Sequence, residues 1–116
     1  MEELYNKMLE YTKMTEELPF EEFSSFYQDM MSLLQKDYQD LNTEELIKAK
    51  GILAITSVNA LTRAAKKDSN KKKFQKMAEK AKFWQEAIKT RLVKDGLTTQ
   101  EIDEKTAALW DEEVTA

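Results

Sequence analysis

Apolar residues recur every three or four positions along most of the chain, which is the period of one face of an α-helix. No segment shows the strict alternation of apolar and polar residues that a half-buried β-strand requires. One stripe contains Phe20, Phe23, Tyr27, Met30, Leu34 and Leu41. A second stripe contains Phe74, Met77, Ala78, Ala81, Trp84, Ile88 and Leu92. The pattern predicts an all-α protein.

Breakers in the sequence divide the chain into helices. Pro19 is the only proline, and the acidic residues after it suit the first turn of a helix. The polar run at residues 68–70 is the only break in a long helical stretch. The predicted helices span about residues 2–17, 19–39, 43–67 and 71–94, followed by a short fifth helix.

Two capping motifs place helix starts. Asn42 with Glu45, and Thr98 with Glu101, have the spacing of a capping box, in which each side chain bonds the other's backbone N–H. Gly96 suits the C-terminal stop of the preceding helix, because glycine readily adopts the left-handed conformation found there. Helices are therefore expected to begin near residues 43 and 98.

The third predicted helix is apolar over more than half of its circumference. Its apolar positions are Leu46, Ile47, Leu53, Ala54, Ile55, Val58, Ala60, Leu61 and Ala65. A helix that is apolar so far around is expected to lie buried between its neighbours. Gly51 in its interior costs about 1 kcal/mol relative to alanine, which close packing would offset.

Length and helix order together predict the architecture. The 116 residues form one domain, since domains average roughly 100–200 residues. We expect a single antiparallel helical bundle of about five helices, with a long hairpin formed by residues 43–94. The first two helices would pack alongside the hairpin, antiparallel to the basic fourth helix, and the fifth would be a short acidic cap.

Composition excludes several classes of site. The chain has no Cys and no His, so thiolate nucleophiles, Ser/His/Asp triads and His- or Cys-based zinc sites are absent. Gly51 and Gly96 stand alone, so there is no glycine-rich phosphate loop. We expect a protein that is not an enzyme and that holds no cofactor and no metal.

The N-terminal residues Met1 to Leu4 lack the basic and apolar regions of a signal peptide, and the longest apolar run has four residues. We therefore expect a cytoplasmic protein with no membrane partner. Lysines outnumber arginines sixteen to two, which indicates an AT-rich genome such as that of a low-GC bacterium or its phage.

Charge is strongly segregated along the chain. Residues 1–47 sum to −9, residues 48–62 to +2, residues 63–94 to +9 and residues 95–116 to −6, for a total of −4. One interpretation is internal: acidic helices lie beside the basic fourth helix and disfavour wrong helix orders. The other is a basic patch that binds a polyanion or an acidic protein.

The candidate binding residues come from this basic segment. They are Arg63, Lys67, Lys72, Lys73, Lys76, Lys80 and Phe83. On a helical wheel Phe83 falls about 180° from Phe74, between the lysines at 72, 76 and 80. An aromatic ring among lysines resembles a platform for base stacking, although another helix or a second copy would cover the ring equally well.

Two other features of the sequence bear on function. The wide stripe of the second helix, rich in Met and aromatic residues, is either ordinary core or a binding groove. The carboxylate pairs Asp37/Asp40 and Glu101/Glu104 share helical faces, as a Mg²⁺-dependent hydrolase would need, but neither is part of a longer acidic motif.

The sequence therefore favours a non-enzymatic interaction module: a scaffold, adaptor or inhibitor that acts through protein–protein contacts and self-associates. The alternative is a nucleic-acid-associated protein that uses the basic segment 63–82 together with Phe83. The carboxylate–Mg²⁺ hydrolase is a remote third hypothesis.

Overall fold

The computed structural model describes the backbone of residues 1–14, 16–66 and 70–115, and the side chains of these residues as far as 109. The helices are α1 (Glu2–Thr12), α2 (Phe20–Asp37), α3 (Thr43–Ala64), α4 (Lys71–Lys94) and α5 (Thr99–Thr115). A 3₁₀ turn, Tyr38–Asp40, follows α2. No strand occurs in the described residues, so the prediction of an all-α bundle with a hairpin over residues 43–94 is confirmed.

Contacts between side chains fix the direction of each helix. Glu2, at the start of α1, bonds Lys48 early in α3, and Glu17, beyond the end of α1, bonds Lys66 beyond the end of α3. The two helices therefore run parallel. α3 and α4 form the most extensive helix–helix contact, and α5 packs against α1, α3 and α4.

The relative direction of α2 and α4 corrects the sequence prediction. Phe23, early in α2, packs edge-on against Phe74, early in α4, with ring centroids 5.7 Å apart. Tyr38, just after α2, packs against Trp84 in the second half of α4. α2 is thus parallel to α4, not antiparallel as expected. The reason is topological: the connections on either side of α3 each reverse the chain, so α2 and α4 point the same way.

The predicted caps are confirmed. Asn42 Oδ1 accepts from the Glu45 backbone N–H at 2.8 Å, and Glu45 Oε1 accepts from the Asn42 N–H at 3.0 Å. Thr98 and Glu101 form the same reciprocal pair at 3.1 and 3.0 Å.

The stop at Gly96 is also confirmed. Its φ of 105° lies in the left-handed region, and its N–H donates to the Val93 carbonyl while the Leu97 N–H donates to Leu92. These two bonds form a Schellman motif, which ends α4 and satisfies carbonyls of its last turn.

Three helix bounds differ from expectation. α1 ends at Thr12 instead of near residue 17, and α3 ends at Ala64 instead of near residue 67. α5 has 17 residues, so it is not a short cap. The separation of α3 from α4 is confirmed, but most of the predicted turn, Asp68–Ser69, lies outside the described residues.

α3 is enclosed over only half of its length. The consecutive residues Leu46, Ile47, Lys48 and Ala49 are all buried, and successive helical residues point 100° apart, so this half is covered on every side. Further along, Val58 is 64% exposed and Leu61 is 43% exposed. The expectation that the whole helix is buried is therefore wrong for its second half.

The partial cover of α3 has a simple cause. Tyr5 of α1 donates to the Leu109 carbonyl of α5 at 2.9 Å, beside the first turns of α3. Further along, the end of α1 lies beside Ile55 and Asn59, and the face of α3 that carries Val58 and Leu61 stays exposed. One apolar face at the C-terminal half of α3 is left open.

Candidate functional site

The structure separates the predicted basic residues into two groups. Arg63 is only 7% exposed and lies between α1, α2 and α3, with its guanidinium 4.8 Å from the centroid of the Phe23 ring. The exposed members lie on α4: Lys72, Lys73, Lys76, Lys80 and Phe83. Lys67 lies outside the described residues. Arg63 is therefore not part of the lysine-bearing surface.

Three of the α4 residues line a single groove. Lys76, Lys80 and Phe83 face α2 across an open groove of about 540 Å³, which we call the α2/α4 groove. The remaining lining residues are Tyr27, Gln28, Met31, Ser32, Gln35 and Glu79. Lys72 and Lys73 lie outside it, and the Lys73 ammonium sits 5.3 Å from the centroid of the Phe20 ring. The groove therefore brings together three of the predicted site residues, Lys76, Lys80 and Phe83.

Phe83 is the most exposed large apolar residue of the described part of the chain, at 65%. Its ring packs edge-on against Trp84 at 5.7 Å, and Trp84 packs against Tyr38 at 5.3 Å. The Tyr38 hydroxyl donates to the Ala87 carbonyl at 3.1 Å, which anchors this row of rings to the backbone of α4. No described helix covers Phe83, and the expected inward orientation of Trp84 is confirmed because Trp84 is half-buried.

The α2 side of the groove is uncharged. Tyr27 is buried, and burial raises the pKa of its hydroxyl, so the group stays protonated at neutral pH. Within the described residues this hydroxyl has no hydrogen-bond partner, although Tyr27 lines the groove. A hydroxyl in this position is ready to donate to an acceptor that enters the groove.

The lysines of α4 are not neutralised by the acidic helices. The ion pairs in the described part of the chain join Glu2 and Glu44 to Lys48, and Glu17 to Arg63 and Lys66. Glu2 and Glu17, in and just after α1, therefore pair with α3 and the residues just after it, and Glu44 pairs within α3. None of these pairs includes an α4 lysine. The interpretation that the acidic helices neutralise the basic helix is therefore not supported by an ion pair in the described residues.

The charges next to Phe83 are mixed. Glu79 and Glu86 lie one helical turn before and after it, and Lys80 is the nearest basic neighbour on the same face. Lys72 is three turns away, roughly 16 Å along the helix axis. The ring therefore lies at the edge of the lysine-rich surface and not at its centre.

The carboxylate pairs are dispersed. Asp37 ends α2 and Asp40 lies in the 3₁₀ turn, whereas Glu101 is held by its capping box with Thr98. Glu104 accepts a hydrogen bond from Gln100 at 3.0 Å. Nowhere in the described residues do three carboxylates converge as a metal ion would require.

Sequence reasoning missed the role of both arginines. Arg91 donates to the Tyr38 and Gln39 carbonyls and, at 2.6 Å, to that of Leu41. These carbonyls close the C-terminal end of α2, so Arg91 ties α4 to it. The signal was present in the composition: a chain with sixteen lysines keeps arginine at two positions only, and a planar five-donor group is not interchangeable with an ammonium.

The fold and the groove define this protein as a small all-α bundle with an aromatic residue displayed on a basic helix. Comparison with known proteins finds no matching family model, no similar curated protein and no similar solved structure. In the described part of the chain, no helix combines the length and the apolar character needed to cross a membrane.

Proposed function

We propose that this protein is a non-enzymatic interaction module that receives an acidic amphipathic segment of a partner protein in the α2/α4 groove. The observation that carries this proposal is the exposed Phe83 ring, held in place by Trp84 and Tyr38 at the edge of a groove. Large aromatic rings fixed in a groove are typical anchors of protein–protein interfaces.

The lining of the groove defines the chemistry of the partner. An apolar side chain of the partner packs against Phe83 and Met31, and its carboxylates pair with Lys76 and Lys80, which have no internal ion pair in the described chain. The Tyr27 hydroxyl supplies one directional hydrogen bond. An amphipathic helix laid along α2 and α4 meets these requirements, because its apolar stripe and flanking charges repeat every three to four residues.

A second copy of the chain is proposed as a further partner, at a different place. The exposed Val58 and Leu61 lie on the open face of α3, away from the groove lining. Self-association through this face would cover apolar surface that neither α1 nor α5 covers.

Nucleic acid is the alternative occupant of the basic segment. Exposed lysines and Phe83 favour it, whereas Glu79 and Glu86, one helical turn to either side of the ring, repel the phosphates that flank a stacked base. Salt-sensitive gel shifts of a single-stranded oligonucleotide at about 50 mM salt would support the alternative.

Photocrosslinking tests the proposal directly. Phe83 is replaced by p-benzoylphenylalanine, and Val93, another exposed apolar residue of α4, receives the same replacement as the matched control. We expect a protein adduct at position 83 and not at 93 in cells of the source organism, lost when Lys76→Glu and Lys80→Glu are added. Charge reversal of Lys82 and Lys94, which lie outside the groove lining, should leave the adduct intact.

Each other outcome contradicts the proposal. A nuclease-sensitive adduct at position 83 would assign the surface to nucleic acid instead. Equal labelling at positions 83 and 93, or an adduct that survives the Lys76 and Lys80 reversals, would show that the groove does not select a partner.

A further inference from the structure

Arg63 occupies an unusual position for an arginine. It extends from the last turn of α3 into a pocket of about 370 Å³ between α1, α2 and α3, here called the Arg63 pocket. Its side chain is 8% exposed. The guanidinium lies over Phe23 at 4.8 Å and near Phe74 at 5.6 Å from the ring centroids.

The hydrogen-bonding capacity of Arg63 is unused in the described part of the structure. Its Nε is fully buried and has no hydrogen-bond partner. The nearest carboxylate oxygen belongs to Glu17 at 3.9 Å, beyond hydrogen-bond distance, and Glu17 also bonds the Lys66 ammonium. Aromatic faces attract the positive charge of a guanidinium, but they do not accept its in-plane N–H groups.

Such an arrangement is costly unless something else binds there. A buried donor without a partner costs about 1–3 kcal/mol, and more when the group is charged. A carboxylate matches the planar fork of a guanidinium with two parallel hydrogen bonds, which are among the strongest in proteins. The pocket also has the size of a small-molecule site, since such sites range from roughly 300 to 1,000 Å³.

The other residues of the Arg63 pocket indicate which polarity and which charge a ligand should have. Its walls include the apolar side chains of Met8, Leu18, Phe26 and Ile55. Glu16 and Glu17 lie at the same pocket and repel any anion, a dianion such as a phosphate more strongly than a monoanion. A single negative charge on an apolar body therefore fits best.

We propose that the Arg63 pocket binds an apolar monocarboxylate, with the carboxylate paired to the Arg63 guanidinium and the apolar body enclosed between α1, α2 and α3. This site is separate from the α2/α4 groove and does not depend on its function. The ligand is either a free organic acid or the C-terminal carboxylate of a peptide that ends in an apolar residue.

Nuclear magnetic resonance (NMR) on the full chain tests this proposal without a label. The protein has two arginines, so the spectrum of arginine Nε–H groups contains one signal for Arg63 and one for Arg91, which serves as internal reference. The probe is 3-phenylpropanoate, and the matched control is the uncharged 3-phenylpropanamide. We expect the acid to shift the Arg63 signal with millimolar or tighter affinity and the amide to bind at least about tenfold more weakly.

A second arm identifies the source of the carboxylate. The tripeptide Gly-Gly-Phe is compared with its C-terminal amide in the same titration. Carboxylate-dependent shifts with the peptide support a chain end as ligand, and shifts with the organic acid alone support a small metabolite. If neither acid moves the Arg63 signal, or if acid and amide act equally, the proposal fails.

Arg63→Met separates binding from a structural role. We expect it to abolish the carboxylate-dependent binding while the urea midpoint stays equal to or above that of the wild type, because an apolar residue replaces a buried guanidinium whose Nε has no hydrogen-bond partner. Retained carboxylate-dependent binding would overturn the proposal. So would a lowered midpoint in a folded variant, since Arg63 would then act through its internal contacts. The wild-type titration keeps the test valid should the variant not fold.

Discussion

Among eighteen basic residues, the two arginines differ in what surrounds them. Arg63 lies over aromatic rings with no hydrogen bond in the described structure, whereas Arg91 donates to three backbone carbonyls at the end of α2 and lies 5.1 Å from the Tyr38 ring centroid. The same side chain is thus ready for a ligand in one place and holds two elements together in the other.

Removing the guanidinium of Arg91 should lower the stability of the bundle. Arg91→Met loses the bonds to Tyr38, Gln39 and Leu41, and we expect the free energy of unfolding to fall by about 2 kcal/mol, as for charge-assisted hydrogen bonds to partly buried acceptors. Urea denaturation measures this change in the free energy of unfolding. Lys94→Met, on the last turn of the same helix, is the control and should change stability little. Equal midpoints for both variants would refute the role given to Arg91.

The lowered pKa of the Glu101 carboxylate should make the stability of the fold depend on pH in the acidic range. Hydrogen bonds with Thr98 lower the pKa of Glu101 below its ordinary value of 4.5. A folded-state pKa below the unfolded one means that the charged carboxylate stabilises the fold above pH 4.5, and that this contribution is lost as the pH falls through the folded pKa. The urea midpoint of the wild type should exceed that of Glu101→Gln at pH 7, and the difference should close at acidic pH. A difference that persists or widens in acid would contradict this.

The helices themselves divide into those that local sequence defines and those it does not. α4 was predicted to within a residue at each end, because Gly96 stops it and the polar run 68–70 precedes it. α1 carries no such stop signal, so the sequence does not indicate its end at Thr12. α5 has a clear start at its capping box but no breaker afterwards, so the sequence does not indicate its length of 17 residues.

Packing partners are less predictable than helix ends. The apolar circumference of α3 indicated burial but carried no information about where α1 ends or how far α5 reaches. The direction of α2 relative to α4 likewise follows from two chain reversals and not from any local residue. For this reason the sequence indicates Phe83 with its lysines and, separately, the stripe of the second helix that contains Tyr27, but it does not indicate that the two form opposite walls of one groove.

The capping box of α3 gives a prediction for a single element. Asn42→Ala removes the acceptor for the Glu45 N–H, and we expect a loss of about 1 kcal/mol in the free energy of unfolding. Thr43→Ala, exposed at the next position, serves as control because no hydrogen bond from its side chain caps the helix. The comparison uses chemical denaturation. A larger loss for Thr43→Ala than for Asn42→Ala would contradict the assignment of the cap.

At the scale of the whole molecule, ion pairs within the fold neutralise only part of the segregated charge. The bundle measures 43 × 31 × 23 Å, and its ion pairs in the described residues join the acidic N-terminal region to Lys48, Arg63 and Lys66. The lysines of α4 remain directed at solvent and at the groove. Of the basic residues that the sequence groups together, Lys72, Lys73, Lys76 and Lys80 are exposed on α4, whereas Arg63 is buried away from them.

The open face of α3 predicts association between copies. Replacing Val58 and Leu61 by lysine should leave the fold intact, because both side chains are exposed, and should lower the apparent mass of any oligomer measured by light scattering at increasing concentration. Replacing Phe83 by lysine is the control and should leave that mass unchanged. A wild-type protein that stays monomeric at every concentration would rule out self-association through this face.

The row of rings from Tyr38 through Trp84 to Phe83 has a spectroscopic consequence. Trp84 is half-buried and touches the residue at the edge of the groove, and the chain's only other tryptophan is Trp110. With Trp110→Phe, the fluorescence of a single indole would report occupancy of the groove in real time. Partner binding could then be followed by emission wavelength in a stopped-flow instrument, with no dye attached to either molecule.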